Sequence, residues 1–184
     1  MHNPTKQLVQ MGMMSAVLCV VSPIAIPAGV VPFTLGSFCV YLAGGLLGAK
    51  RGTLSVLLYL LLGVLGLPVF SGFSGGFAAI AGPTGGYLIG YLPCAWIVGS
   101  GCKKTKKSGR RIKCVLFMTL GTMACYLCGT VWLMLMLKLS FSQALLAGVI
   151  PYLLLDCIKV VFAAMMVPVM GKHLNGEYND KSGI

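Results

Sequence analysis

Acid is the scarcest chemistry in this chain: three Asp and Glu residues among 184, against fourteen Lys and Arg. Two of the three, Glu177 and Asp180, stand near the C-terminal end, which leaves Asp156 as the one carboxylate inside apolar sequence. Paired-carboxylate catalysis is thereby excluded. Histidine is nearly as rare, and His2 and His173 lie toward the two ends, where solvation is expected. No serine stands out as a nucleophile beside Lys159, so no catalytic constellation forms and the chain is read as a non-enzyme. A polar stretch of roughly 50 residues, enough for a soluble domain, is also missing. The nearest echo of a phosphate loop, Gly99-Ser-Gly-Cys-Lys-Lys-Thr105, lacks the second glycine before lysine. Any ATP must therefore be spent by another subunit, and no cofactor or metal is expected here.

Eight cysteines are present, and six of them (Cys19, Cys39, Cys94, Cys125, Cys128 and Cys157) fall within apolar runs, where cysteine acts as a small hydrophobe. Cys125-x-x-Cys128 has neither a second pair nor a nearby histidine, which leaves it short of a metal or redox site.

What is abundant is apolar surface: 58% hydrophobic residues, 9% charged, and a mean hydropathy of +0.93. That excess arrives in runs of membrane-spanning length. One all-α membrane domain over residues 1–184 is the expected fold, with six spans: Leu8–Ile26, Leu35–Ala49, Thr53–Leu67, Tyr87–Gly101, Cys114–Leu137 and Leu145–Met170. Lys50-Arg51-Gly52 is expected to separate the second from the third. The first run follows Lys6 as a signal peptide would, but it is longer than a signal core and is read as retained.

Basic residues set the orientation. Seven of the fourteen lie between Lys103 and Lys113, and most others flank apolar runs, which fits topology and lipid headgroups rather than nucleic acid. With both termini cytoplasmic and six alternating spans, twelve of the fourteen fall inside; Lys138 is outside and Lys159 is within the membrane. The location expected is a cytoplasmic (plasma) membrane. Two uncharged loops rich in Gly and Pro, Pro27–Thr34 and Pro68–Gly85, then lie outside as caps over a ligand pocket, because non-helical backbone at membrane depth must be buried in protein or line a cavity.

The sixth span carries Asp156 and Lys159, three residues apart and so on one helical face. Charges inside a span mark a functional site by default; an internal structural bridge is the rival reading. Tyr152 stands one turn before Asp156 and shares its face. Gly82-Pro83-Thr84-Gly85-Gly86 precedes the fourth span, as either a packing turn or a ligand-facing one that offers backbone N–H groups and Thr84. Tyr87 and Tyr91 follow it at i,i+4. Gly12-x-x-x-Ala16 places small residues on one side of the first span, for internal packing or for a partner helix.

Three segments, Pro27-Ala-Gly-Val-Val-Pro-Phe-Thr-Leu35, Gly82-Pro-Thr-Gly-Gly-Tyr-Leu88 and Ile150-Pro-Tyr-Leu-Leu-Leu-Asp-Cys-Ile-Lys159, occur in this order and at wide spacing. Together they resemble the BioY family, the biotin-binding S components of energy-coupling-factor vitamin transporters. The resemblance implies capture of biotin from outside, driven by a transmembrane coupling subunit and two ATPases, though some members of the family are thought to work without a dedicated energising module. It implies a substrate site drawn from Asp156, Lys159, Thr34, Gly82, Pro83, Thr84, Gly85, Tyr87 and Tyr152, with Gly12 and Ala16 docking the coupling subunit. Gly36 stands where the family often has glutamine, and no arginine is evident in the fourth span to hold a carboxylate. An S component for another vitamin, or an assembly subunit without ligand, are the alternatives.

Overall fold

The computed structural model describes residues 4–26, 31–102 and 110–176. Residues 1–3 with His2, part of the Pro27–Thr34 loop (27–30), most of the basic loop (103–109) and residues 177–184 with Glu177 and Asp180 lie outside the described residues. In chain order the helices are α1 (Pro4–Val21), α2 (Gly36–Leu47), α3 (Ala49–Val64), α4 (Phe77–Ala81), α5 (Gly85–Cys102), α6 (Arg110–Leu137), α7 (Phe141–Gly148) and α8 (Ile150–Gly176). Strands β1 (Ala25–Ile26) and β2 (Phe33–Thr34) pair antiparallel, Ala25 opposite Thr34 and Ile26 opposite Phe33.

These observations correct the expected spans. The all-α reading gains a two-residue ladder, which clamps the base of the loop between α1 and α2. The first span starts and stops earlier than expected, because Ala25 and Ile26 are taken by β1. Lys50-Arg51-Gly52 does not separate two helices; it lies in the first turns of α3. The break falls at Gly48, whose φ of +83° is open to glycine and strained for other residues. The run Leu145–Met170 is likewise two helices. Gln143 Oε1 accepts from the Ser140 backbone N–H at 3.1 Å, starting α7 as an N-cap contact does. Val149 interrupts it, and Pro151 sits in the first turn of α8, where a missing N–H costs nothing.

The Pro68–Gly85 loop is not structureless. The Phe70 N–H donates to the Ser74 carbonyl at 2.9 Å around Gly72, whose φ is +68°, and α4 follows. The two loops lie at the same end of the bundle and are tied: the Gly72 N–H donates to the Pro23 carbonyl at 3.1 Å.

Helix α5 is central, packing on α2, α3, α4 and α6. Small residues permit this. A Cβ on Gly44 would stand 2.6 Å from the Ala95 carbonyl oxygen and 3.1 Å from Val98 Cβ, and one on Gly121 would stand 3.0 Å from Cys94 Sγ. The core around them holds Leu18, Val40, Tyr41, Val98, Met118 and Leu133. The outside is apolar too: Leu54, Leu61, Leu116, Leu120, Leu127, Leu154, Phe162 and Met165 are all exposed. So continuous an apolar exterior suits hydrocarbon rather than water. Arg111–Leu137 and Ile150–Gly171 are each long and apolar enough to cross a membrane.

Gly44→Val is expected to lower the melting temperature in detergent by about 5–10 °C, since backbone at 2.6 Å cannot yield to an added side chain. Gly12→Val, where a Cβ meets nothing within 4 Å, is expected to leave it unchanged. A melt that ranks the two the other way would refute this packing.

Candidate functional site

Helix α8 sets the site, because its Asp156 and Lys159 turn inward while Leu154, Leu155, Ile158 and Val161 turn outward. The two charges are 9% and 7% exposed, with Lys159 Nζ 2.8 Å from Asp156 Oδ1. Buried charges need full hydrogen bonding as well as each other, and neighbouring elements supply it. Tyr126, from α6, donates its hydroxyl to Asp156 Oδ2 at 2.5 Å. Lys159 Nζ donates to the Thr34 carbonyl at 2.6 Å and meets Ser37 Oγ at 3.0 Å. It also lies 3.8 Å from the centroid of the Phe33 ring, a cation–π contact. The ammonium therefore joins α8 to β2 and to the first turn of α2.

A second tether fixes the same loop, since the Tyr152 hydroxyl donates to the Val31 carbonyl. Opposite, Tyr87 donates to the Gly148 carbonyl at 3.0 Å, joining α5 to the end of α7. These groups enclose a cavity of about 70 Å³, with Tyr41, Thr122 and Cys125 on its floor and walls. Tyr41 and Thr122 hydroxyls are 2.7 Å apart. A smaller chamber of about 40 Å³ adjoins it through Val31, Pro32, Thr34, Tyr87 and Tyr91, and adds Ser22, Tyr59, Ser71 and Thr84. Outside the α6–α8 seam runs an apolar groove of about 620 Å³. Thr122, Tyr126 and Asp156 line both this groove and the inner cavity.

Of the residues singled out from sequence, Thr34, Tyr87, Tyr152, Asp156 and Lys159 line the main cavity, and Thr84 lines the side chamber. Gly82, Pro83 and Gly85 line neither. The Gly82 carbonyl instead accepts from the Trp132 indole at 2.9 Å and from the Gly85 N–H at 3.1 Å, so this turn holds α5 against α6. Gly12 and Ala16 face outward on α1, while Ser15 and Leu18 face the core; internal packing at Gly12 is not what the bundle uses. Sequence reasoning missed Ser37, Phe33 and Tyr126. Thr122, Tyr126 and Thr130 recur every four residues along α6, and that polar stripe was the available signal.

Residues 1–176 match the BioY family. The chain is 38% identical over 161 residues to the "Probable biotin transporter BioY" of Pyrococcus horikoshii, covering 88% of this chain and 93% of that one. It is 37% identical over 166 residues to the "Biotin transporter BioY" of Thermotoga maritima, with the same coverage. Among solved structures it is similar to a crystal structure of the S-component for biotin from an ECF-type ABC transporter. That likeness has a TM-score of 0.81 and 32% identity, and covers 91% of this chain and 92% of that one.

Tyr126→Phe is expected to destabilise the bundle by about 2 kcal/mol, the worth of a hydrogen bond to a charged group. Lys159→Met is expected to cost about 3–5 kcal/mol by stranding Asp156, and Asp156→Leu with Lys159→Met less than Lys159→Met alone. Reversible unfolding in mixed micelles measures all three; a double variant costing more than Lys159→Met alone, as additive losses would give, would show that the charges do not depend on each other.

Proposed function

The chain belongs to the BioY family, and we propose that it is the biotin receptor of a vitamin uptake transporter, taking biotin from outside and passing it inward with an ATP-driven module. The observation that carries this is the buried Asp156–Lys159 pair beneath the loop of Val31 to Thr34, inside a helical bundle with an apolar exterior. Biotin needs such a pocket: its ureido ring has two N–H donors and a carbonyl, its thiophane is apolar, and its tail ends in a carboxylate. Charge-assisted hydrogen bonds away from water hold such groups strongly. The reaction is transport, not bond-breaking chemistry.

Six of the helices, α1, α2, α3, α5, α6 and α8, are the six spans, with both termini in the cytoplasm. The arrangement of twelve of fourteen basic residues supports this orientation. At 12 and 16 residues, α2 and α3 rise roughly 18 and 24 Å, short of about 30 Å of hydrocarbon. They suit a thinned or tilted part of the bundle. The outward Gly12–Ala16 face of α1 is the docking surface for a membrane coupling subunit, since small residues let helix backbones approach closely. Two ATPases complete the transporter, and membrane lipid surrounds the chain.

Asp156→Asn or Lys159→Ala is expected to weaken biotin binding at least about tenfold, or ~1.4 kcal/mol. Equilibrium titration of labelled biotin onto purified variants reads this, and unchanged affinity in both would sink the assignment. In a thermal-shift comparison biotin raises the melting temperature while thiamin and riboflavin do not; the reverse pattern points to another vitamin. A phosphatase fused to the C-terminus is expected to be inactive in cells, as a cytoplasmic terminus requires, and an active fusion would invert the topology.

A further inference from the structure

The α6–α8 groove has no part in the transport reading. Along its length it is lined by Met123, Leu127, Leu145, Leu153, Val160 and Val161. The threonine hydroxyls along α6 ask nothing of an occupant: Thr119 donates to the Val115 carbonyl at 2.9 Å and Thr122 to the Met118 carbonyl at 2.8 Å. Asp156 is held by Lys159 and Tyr126. From Val149 to Val161 the α8 side of the groove rises roughly 18 Å, a little more than half of about 30 Å of hydrocarbon. The groove thus matches the depth of one leaflet, and Phe141 and Leu145 of α7 line it at one end.

That end is where α6 stops at Leu137 and α7 starts after Ser140. Lys138 stands between them with a φ of +51°, a left-handed conformation that glycine takes freely and other residues take at a cost. A helix commonly ends on a glycine in that conformation, so what lysine adds is its ammonium and not the turn. Lys138 is exposed, and so are Ser140, Ser142 and Gln143 beside it. One basic side chain with hydroxyl and amide groups therefore stands over an apolar channel. Asp156 is the only acid among the described residues and is already paired inside the bundle. The rim has charge to offer a phosphate and no carboxylate to offer a headgroup ammonium.

We propose that the α6–α8 groove binds an acyl chain of an anionic membrane phospholipid, with the headgroup phosphate on Lys138. The charge match selects a net-negative headgroup over a zwitterionic one, and the strained backbone at Lys138 is kept for that contact. In the orientation proposed above the lipid belongs to the outer leaflet. The site itself does not depend on what the inner cavity takes.

Two probes test this on the full chain in nanodiscs: phosphatidylglycerol and phosphatidylcholine carrying the same photoreactive acyl chain, each at the same low fraction. Peptide mass spectrometry locates the adducts. Phosphatidylglycerol is expected to label residues 141–161 about fivefold more than phosphatidylcholine does, the worth of one basic side chain at an anionic surface. The two probes are expected to label Leu58 and Leu61, exposed on α3, alike. Lys138→Gln is expected to remove the excess and Lys138→Arg to keep it. Lys138→Gly is expected to remove it with no lower melting temperature, since the turn then holds no strained residue. Equal labelling of the groove by the two probes, or an excess that survives Lys138→Gln, would overturn the proposal. So would a groove that neither probe reaches, as a second copy of the chain seated there would leave it. A lower melting temperature in Lys138→Gly would make the lysine a structural cap and overturn it as well.

Discussion

A lysine ammonium held away from water organises this molecule. Its charge is tolerable only because Asp156 lies 2.8 Å away on the same helical face and because a carbonyl and a hydroxyl from two other elements complete its shell. Each requirement fixes a piece of structure. The Thr34 carbonyl must point inward, so β2 turns toward α8. Ser37 must stand in the first turn of α2 at that point. Asp156 in turn needs Tyr126, which sets the rotation of α6 against α8. Removing the pair would leave β2 held by the Tyr152–Val31 contact and the β1–β2 ladder, without the contacts that join α8 to the start of α2.

The rest of the bundle gives that arrangement a rigid wall to work against. Glycines on α2, α5 and α6 bring backbones close enough that added methyl groups would meet carbonyls and sulfur. The α6–α8 side is built differently, with an open apolar groove along it. Binding energy spent on rearranging the pocket will fall on that looser side, since close-packed seams do not deform gradually.

The sequence made the charged pair legible because a carboxylate and an ammonium within an apolar run are conspicuous and their spacing fixes a shared face. It made the helical content legible for the same reason of composition. Breaks were harder to read. Lys50 and Arg51 looked like a boundary, yet charge does not end a helix; Gly48, which does, was one glycine among 25. Val149 breaks the sixth run between Gly148 and Pro151, a break that the apolar length of the run concealed. Gly82 and Pro83 looked ligand-facing, but a glycine-rich turn serves an indole donor as readily as a ligand. Tyr126 was hidden because a tyrosine in a span is unremarkable until its partner across the bundle is known.

Thr122, Tyr126 and Asp156 face the inner cavity on one side and the outer groove on the other, so the partition between ligand and surroundings is one residue thick. Whatever occupies the groove, acyl chain or detergent tail, packs directly on the groups that shape the cavity. The solvent used to extract such a protein is then part of its binding site's wall, and affinities taken in two detergents compare two different receptors.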